Sequence, residues 1–215
     1  MKFEFQKCNK YYKVNSVRRT YFVKVKKNLK KEFYYNKMLK DVIPVPHIYF
    51  YDHLNDIGYD YIIEEYIDCI NLYDIDLTNG NHDSLLFSVG QIFGKAFNIK
   101  SKISETHKNI DISSLNNSDK SLYNKYFNNV DIYNGFILFD VAYLCSTNEP
   151  REVIKVTDFE NCLFDDIRLY IQTYSKLFGK PFISGFNTTS KIDYSKLVID
   201  DMEEFLYIRK LIENI

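Results

Sequence analysis

The spacing of the apolar residues changes twice in the first 66 positions, and that double change constrains the fold more than any other feature of the chain. Phe3 and Phe5, Tyr11-Tyr12-Lys13-Val14 and Tyr21-Phe22-Val23-Lys24-Val25 are short aromatic and β-branched runs with charged punctuation. They read as three antiparallel strands, the third carrying Lys24 near its centre. From Leu29 to Leu39 the period turns helical, with Leu29, Phe33 and Asn36 or Lys37 one turn apart and Glu32, Tyr35 and Leu39 on neighbouring faces. Asp41-Val42-Ile43-Pro44-Val45-Pro46 stops that helix, because the residue before each proline is driven out of the αR region. Ile48-Tyr49-Phe50-Tyr51 and Tyr61-Ile62-Ile63-Glu64-Glu65-Tyr66 then form a strand pair around Asn55-Asp56-Ile57-Gly58. Three strands, one helix and two strands make a small antiparallel sheet carrying a single helix.

The rest of the chain reads as mainly helical. Leu85 to Phe97 has apolar residues at 85, 86, 89, 92, 93, 96 and 97, the stripe of a core helix. Ser101 to Asp119 is polar and reads as loop, Ser121 to Tyr133 as helix, and Asp165 to Phe178 as a further helix ending before Gly179-Lys180-Pro181. Met202 to Ile212 is an amphipathic closing helix. No repeat or linker divides the 215 residues, which suffice for one unit with a good core. A formal net charge of −1 gives no electrostatic case for nucleic acid or an acidic membrane. Cys8, Cys69, Cys145 and Cys162 form no C-x-x-C pair and read as buried thiols rather than zinc ligands. No apolar run approaches a membrane span and no signal-peptide core follows Met1, so a cytoplasmic protein is expected.

Two acidic residues stand out by their place. Gly135-Phe136-Ile137-Leu138-Phe139 leads to Asp140, and Val153-Ile154-Lys155-Val156-Thr157 leads to Asp158, eighteen residues on. An apolar strand that ends in an acid puts a carboxylate at the mouth of a rigid element. Two of them suit chemistry on a metal-bound phosphate: one accepts a proton from a nucleophile and the other holds Mg²⁺. Lys24, eight residues before the helical Glu32, is placed for an ion pair of the kind that positions ATP phosphates.

Asp158-Phe159-Glu160, preceded at this distance by an aspartate, resembles the D-F-E of the aminoglycoside phosphotransferase and choline kinase branch of the protein-kinase-like fold. The resemblance implies an α+β, two-lobed protein-kinase-like fold, with a small antiparallel-sheet N-lobe (residues 1–68) and a mainly helical C-lobe (residues 69–215). It makes Asp140 the catalytic base, Asp158 the metal ligand, and Lys24 with Glu32 the phosphate anchor. Glu64-Glu65-Tyr66-Ile67-Asp68 matches the hinge whose backbone receives adenine, which assigns Glu65 and Tyr66 to the cofactor. ATP and Mg²⁺ are the implied cofactors, and a small-molecule hydroxyl, or less readily a protein, is the acceptor.

The chain departs from the family pattern at the active centre. Leu138-Phe139 stands for His-Gly before the aspartate, Cys145 for the metal-binding asparagine, Phe97-Asn98 for Leu-His, Cys69 for a hinge glycine, and no glycine precedes Gly58 to form a phosphate loop. A thiol is a poor ligand for Mg²⁺, so an active enzyme needs water or another carboxylate, such as Glu160, in place of the amide. These departures leave three readings: an active phosphotransferase; a pseudokinase serving as a nucleotide- or protein-binding module; and an unrelated α+β protein whose acidic strand ends are structural.

Overall fold

A computed structural model of the chain describes residues 4–8, 11–54, 58–68, 70–77, 82–100, 111–128, 130–138, 144–146 and 153–214. They group into two compact units, Met1–Val89 with Leu138–Cys162, and Gly90–Ile137 with Leu163–Ile215. The first half of the helix after Asp68 and the segment containing Asp158 group with the N-terminal sheet.

In the first unit the strands are β1 (Glu4–Cys8), β2 (Tyr11–Asn15), β3 (Thr20–Lys26), β4 (Ile48–Leu54) and β5 (Tyr59–Glu65). They form one antiparallel sheet in the order β1-β2-β3-β5-β4. α1 (Lys30–Leu39) follows β3 through a turn in which Asn28 takes a positive φ of 63°. In the β3–β5 register Lys24 lies opposite Ile62 and Phe22 opposite Glu64. Side chains alternate across a strand, so Phe22, Lys24, Ile62 and Glu64 share one face of the sheet. On β5, Asp60, Ile62 and Glu64 are the buried positions.

A second, three-stranded sheet runs β6 (Ile70–Asn71), β8 (Leu144–Ser146), β9 (Val153–Val156), with Cys145 opposite Lys155. The prolines that end α1 are tied to it. The Val156 N–H donates to the Pro44 carbonyl at 2.8 Å, Lys155 Nζ donates to the Val45 carbonyl at 3.2 Å, and Asn36 Nδ2 of α1 donates to the Pro46 carbonyl at 3.0 Å.

The second unit holds the C-terminal half of α2 (Asp83–Phe97), together with α3 (Asn117–Phe127), α4 (Val130–Tyr133), α5 (Ile167–Thr189), α6 (Met202–Ile212) and the antiparallel pair β7 (Asn134–Ile137) and β10 (Leu163–Asp166). Its core is aromatic: Phe93, Phe97, Phe136, Phe182, Phe186 and Phe205 are all buried. Arg168 is buried with Asp166, its Nε 3.0 Å and 3.1 Å from the two carboxylate oxygens, and its guanidinium lies 4.1 Å from the Tyr133 ring centre. Fork geometry and a stacked ring make burial of that charge tolerable. Asn98 joins α2 to the end of α5, donating to the Thr189 carbonyl at 2.7 Å and accepting from the Lys191 N–H at 2.9 Å. No helix among the described residues is long and apolar enough to cross a membrane.

Two helix expectations are corrected. The helix expected over 121–133 starts earlier, because the Asn116 side chain caps the Asp119 N–H at 2.9 Å, and it divides into α3, which ends at Phe127 with Asn128 as its C-cap, and α4. The helix expected over 165–178 loses its first two residues to β10, and Asp166 caps it. It also continues past Gly179, which bends the chain at φ 69°. Pro181 then sits in the first turn of the resumed helix, where its missing N–H costs nothing.

Gly90 packs tightly against the backbone of α5. A Cβ at Gly90 would fall 2.0 Å from the Phe182 carbonyl oxygen and 2.8 Å from the Phe186 nitrogen, both backbone atoms that cannot swing aside. Gly90→Ala is therefore expected to destabilise the protein by about 1–3 kcal/mol despite the higher helix propensity of alanine. Urea unfolding measures it, and an unchanged or raised midpoint would contradict this packing.

Candidate functional site

A cavity of about 310 Å³ lies wholly within the first unit, its wall including Tyr11, Lys24, Glu64, Glu65, Tyr66 and Asp158. Lys24 reaches it from the middle of β3, where the strand pairing fixes its backbone on both sides. Lys24 is only 4% exposed, and its ammonium is bonded to the Glu32 carboxylate, which α1 brings over the sheet. A second carboxylate, Glu64 of β5, lies 3.1 Å from the same nitrogen. Glu32 and Glu64 are each 3% exposed.

Asp158 follows β9 by two residues and occupies the left-handed region, with φ 59°. Asn28 is the other non-glycine residue with positive φ among those described. Such a conformation is uncommon and costs energy unless the surroundings enforce it. Here the next side chain, Phe159, is buried at 1% exposure and pins the turn, which leaves the Asp158 carboxylate half-buried in the cavity wall.

One lysine faces three carboxylates, and the proton affinities follow from that count. Burial alone works to lower the Lys24 pKa, but the attraction of Glu64, then Glu32, then Asp158 outweighs it and holds the ammonium firmly charged. Burial pushes the Glu32 carboxyl up to about 7 in spite of Lys24. It raises the Glu64 and Asp158 carboxyls too, again against the pull of Lys24. The cluster therefore keeps a proton at pH values where ordinary carboxylates have lost theirs.

The remaining expected residues are placed as follows. The Glu65 carboxylate accepts from the His47 N–H at 3.1 Å and pairs with Lys155 at 3.3 Å, while its residue lines the cavity. Tyr66 lines the cavity under the Lys13 ammonium, 4.1 Å from its ring centre. Glu160 is bonded by Lys26, and Lys31 Nζ donates to its carbonyl at 3.0 Å. Asp140 and Cys69 lie outside the described residues, and Cys145 lies in β8. Among the described residues no three His, Cys, Asp or Glu side chains form a metal cage. Mg²⁺ does not require one, since one or two carboxylates with phosphate and water oxygens complete its shell, and the half-buried Asp158 carboxylate is a hard donor of that kind.

Glu64 is the residue that sequence reasoning missed. The resemblance directed attention to Glu65 and Tyr66, yet Asp60-x-Ile62-x-Glu64 is an alternation with an acid at each end. Once β5 is paired to β3, that alternation puts Glu64 diagonally across from Lys24.

No family model matches the sequence, and no curated protein matches it either. Solved structures do match. A microcompartment-associated aminopropanol kinase aligns over 98% of this chain and 82% of its own, at 12% identity and a TM-score of 0.58. A Plasmodium vivax ethanolamine kinase covers 98% of this chain and 71% of its own, at 16% identity and 0.57. The aminoglycoside phosphotransferase APH(2'')-IIa, in a ternary complex with streptomycin and ATP, covers 100% and 92%, at 13% identity and 0.53. The chain thus has the kinase-like fold of aminoglycoside phosphotransferases and of small amino-alcohol kinases.

The proton held by the cluster predicts a pH dependence of stability. A carboxyl whose folded pKa is raised from 4.5 to about 7 stabilises the fold fully below its unfolded value. That contribution is lost as pH rises through about 7. The raised Lys24 pKa contributes evenly across this range, because lysine stays charged in both states. The urea-unfolding free energy is therefore expected to fall by on the order of 1–3 kcal/mol between pH 5 and pH 8. Glu64→Gln, which removes one surplus carboxylate, should flatten the slope, and an equal slope in the variant would refute the assignment.

Proposed function

We propose that this protein, with the fold of the aminoglycoside phosphotransferases and amino-alcohol kinases, is an ATP-dependent phosphotransferase acting on a hydroxyl of a small molecule. The observation that carries this reading is the buried pairing of Lys24 with Glu32 at a cavity whose wall also presents Asp158. A lysine locked by a helical carboxylate presents a fixed positive charge to phosphate oxygens. Positioning and charge stabilisation are most of what phosphoryl transfer requires of a protein. The neighbouring structures support nucleotide binding by this fold, since they include complexes with ATP, AMP-PNP with Ca²⁺, and ADP.

In this reading Lys24 anchors phosphate and Glu32 holds Lys24 in place. The backbone at Glu65 and Tyr66 receives the nucleobase edge. Asp158 is the residue that would hold Mg²⁺, and the ion when bound neutralises phosphate charge. Asp140 accepts the proton of the acceptor hydroxyl, which makes the oxygen a better nucleophile. Residues 1–68 would act as the N-lobe and residues 69–215 as the C-lobe of a cytoplasmic enzyme. A binding module without catalysis would keep the same cavity and differ only in turnover.

ATP with Mg²⁺ at about 100 times its Kd should stabilise the fold by roughly 2.7 kcal/mol, which at about 2–4 °C per kcal/mol raises the melting midpoint by several degrees. Asp158→Asn should remove most of that shift in Mg²⁺ and little of it in EDTA. Asp140→Asn should abolish phosphate transfer to a panel of amino alcohols and aminoglycosides while nucleotide binding stays nearly intact. Turnover equal in wild type and Asp140→Asn would favour the binding module, and no shift at millimolar ATP would remove both readings.

A further inference from the structure

Lys24 has two buried carboxylates on it, and they differ in where they stand. Glu64 lines the cavity together with Lys24, whereas Glu32 does not. Glu32 therefore holds the ammonium from the helix side, and Glu64 holds it from the side a ligand would approach. The Glu64 carboxylate is 3.1 Å from Nζ, the distance at which a ligand's anionic oxygen would itself bond to the lysine. With Lys24 at 4% and Glu64 at 3% exposure, the pair is shielded from bulk solvent. Glu32 and Glu64 take two of the three N–H donors of the ammonium, so a phosphate oxygen arriving from the cavity competes with Glu64 for the lysine.

We propose that Glu64 is an internal counter-ligand of Lys24, standing on its cavity side, so that a nucleotide phosphate must compete with it for the lysine. The inference rests on the reading of the cavity as a nucleotide site and adds to it a residue that governs affinity. Exchange has a consequence for charge. Once Lys24 turns to phosphate, Glu64 remains in the wall with Glu65 and Asp158, and the ligand's own negative charge is added to theirs. Glu65 is compensated by Lys155 at 3.3 Å, but Glu64 pairs with no second cation among the described residues. A nucleotide that arrives with a divalent cation carries the missing positive charge, and a bare nucleotide does not. Glu64 thus makes the site discriminate against the uncomplexed nucleotide by more than Asp158 alone would.

Titration calorimetry of wild type and Glu64→Gln with ATP, in Mg²⁺ and in EDTA, tests this. The amide keeps the shape of the side chain and a hydrogen-bonding oxygen but removes the competing charge. Glu64→Gln should bind ATP with Mg²⁺ on the order of tenfold more tightly than wild type, which corresponds to about 1.4 kcal/mol, and the ratio of affinities with and without Mg²⁺ should narrow. A purely structural role for Glu64 predicts the opposite, a lower melting midpoint with equal or weaker binding. Equal or weaker binding by a folded Glu64→Gln overturns the counter-ligand while leaving the nucleotide site in place. Absence of binding by both proteins, each shown to be folded by its melting transition, overturns the nucleotide reading and the inference with it. Binding by the variant alone supports both.

Discussion

The arrangement of the first unit depends on one buried ammonium. A lone charge at the position of Lys24 would cost several kcal/mol to desolvate, so the strand that carries it can be central only if anions come to it. β5 supplies one through its register with β3, and α1 supplies the other by crossing the same face of the sheet. Removing either partner leaves the buried lysine with one bonded carboxylate in place of two. Sheet register, helix placement and cavity wall are therefore coupled through a single nitrogen atom. Among the described residues of the second unit, the deeply buried pair Asp166 with Arg168 is balanced within itself.

The site combines this rigidity with a small store of strain. Asp158 is held at positive φ by the strand before it and the buried Phe159 after it. An aspartate tolerates that region better than most residues, so the chemistry of the side chain and the tolerance of the backbone select the same amino acid. Glu160, two residues on, is anchored by Lys26 of β3 and so closes the turn against the sheet rather than standing open beside Asp158. The turn between β2 and β3 closes without glycine, through the Ser16 hydroxyl that donates to the Arg19 carbonyl at 2.9 Å.

Much of this was readable in the sequence, for physical reasons. The strand and helix periods over residues 11–66, the proline stop after α1 and the amphipathic run Met202–Ile212 are local signals, and local signals survive without an alignment. Lys24 and Glu32 were legible because an ionisable group inside an apolar strand demands a partner. Glu64 was not, since its significance lies in how β5 registers on β3, which no local pattern specifies. The continuation of α5 past Gly179 was missed because Gly-Lys-Pro is a stop in most settings. Here the proline falls where a helix restarts and the left-handed glycine supplies the bend. At Asp140 the sequence gives a position and a chemistry, and the geometry adds nothing to it.

The hydrogen bond from Val156 to Pro44 has a mechanical meaning. It fastens the segment that follows α1 to the strand that leads to Asp158, and Asn36 and Lys155 fasten the same segment from either side. A helix stitched in this way at its C-terminal end is not a free lever. Carrying Glu32 away from Lys24 by swinging α1 would tear three hydrogen bonds and pull on the very strand that sets the metal-ligand candidate. Regulation by tilting this helix is thus expensive in this chain, whereas exchanging the partner of one ammonium breaks a single contact. The fold has made its helix part of the frame and left its moving piece at the scale of a side chain.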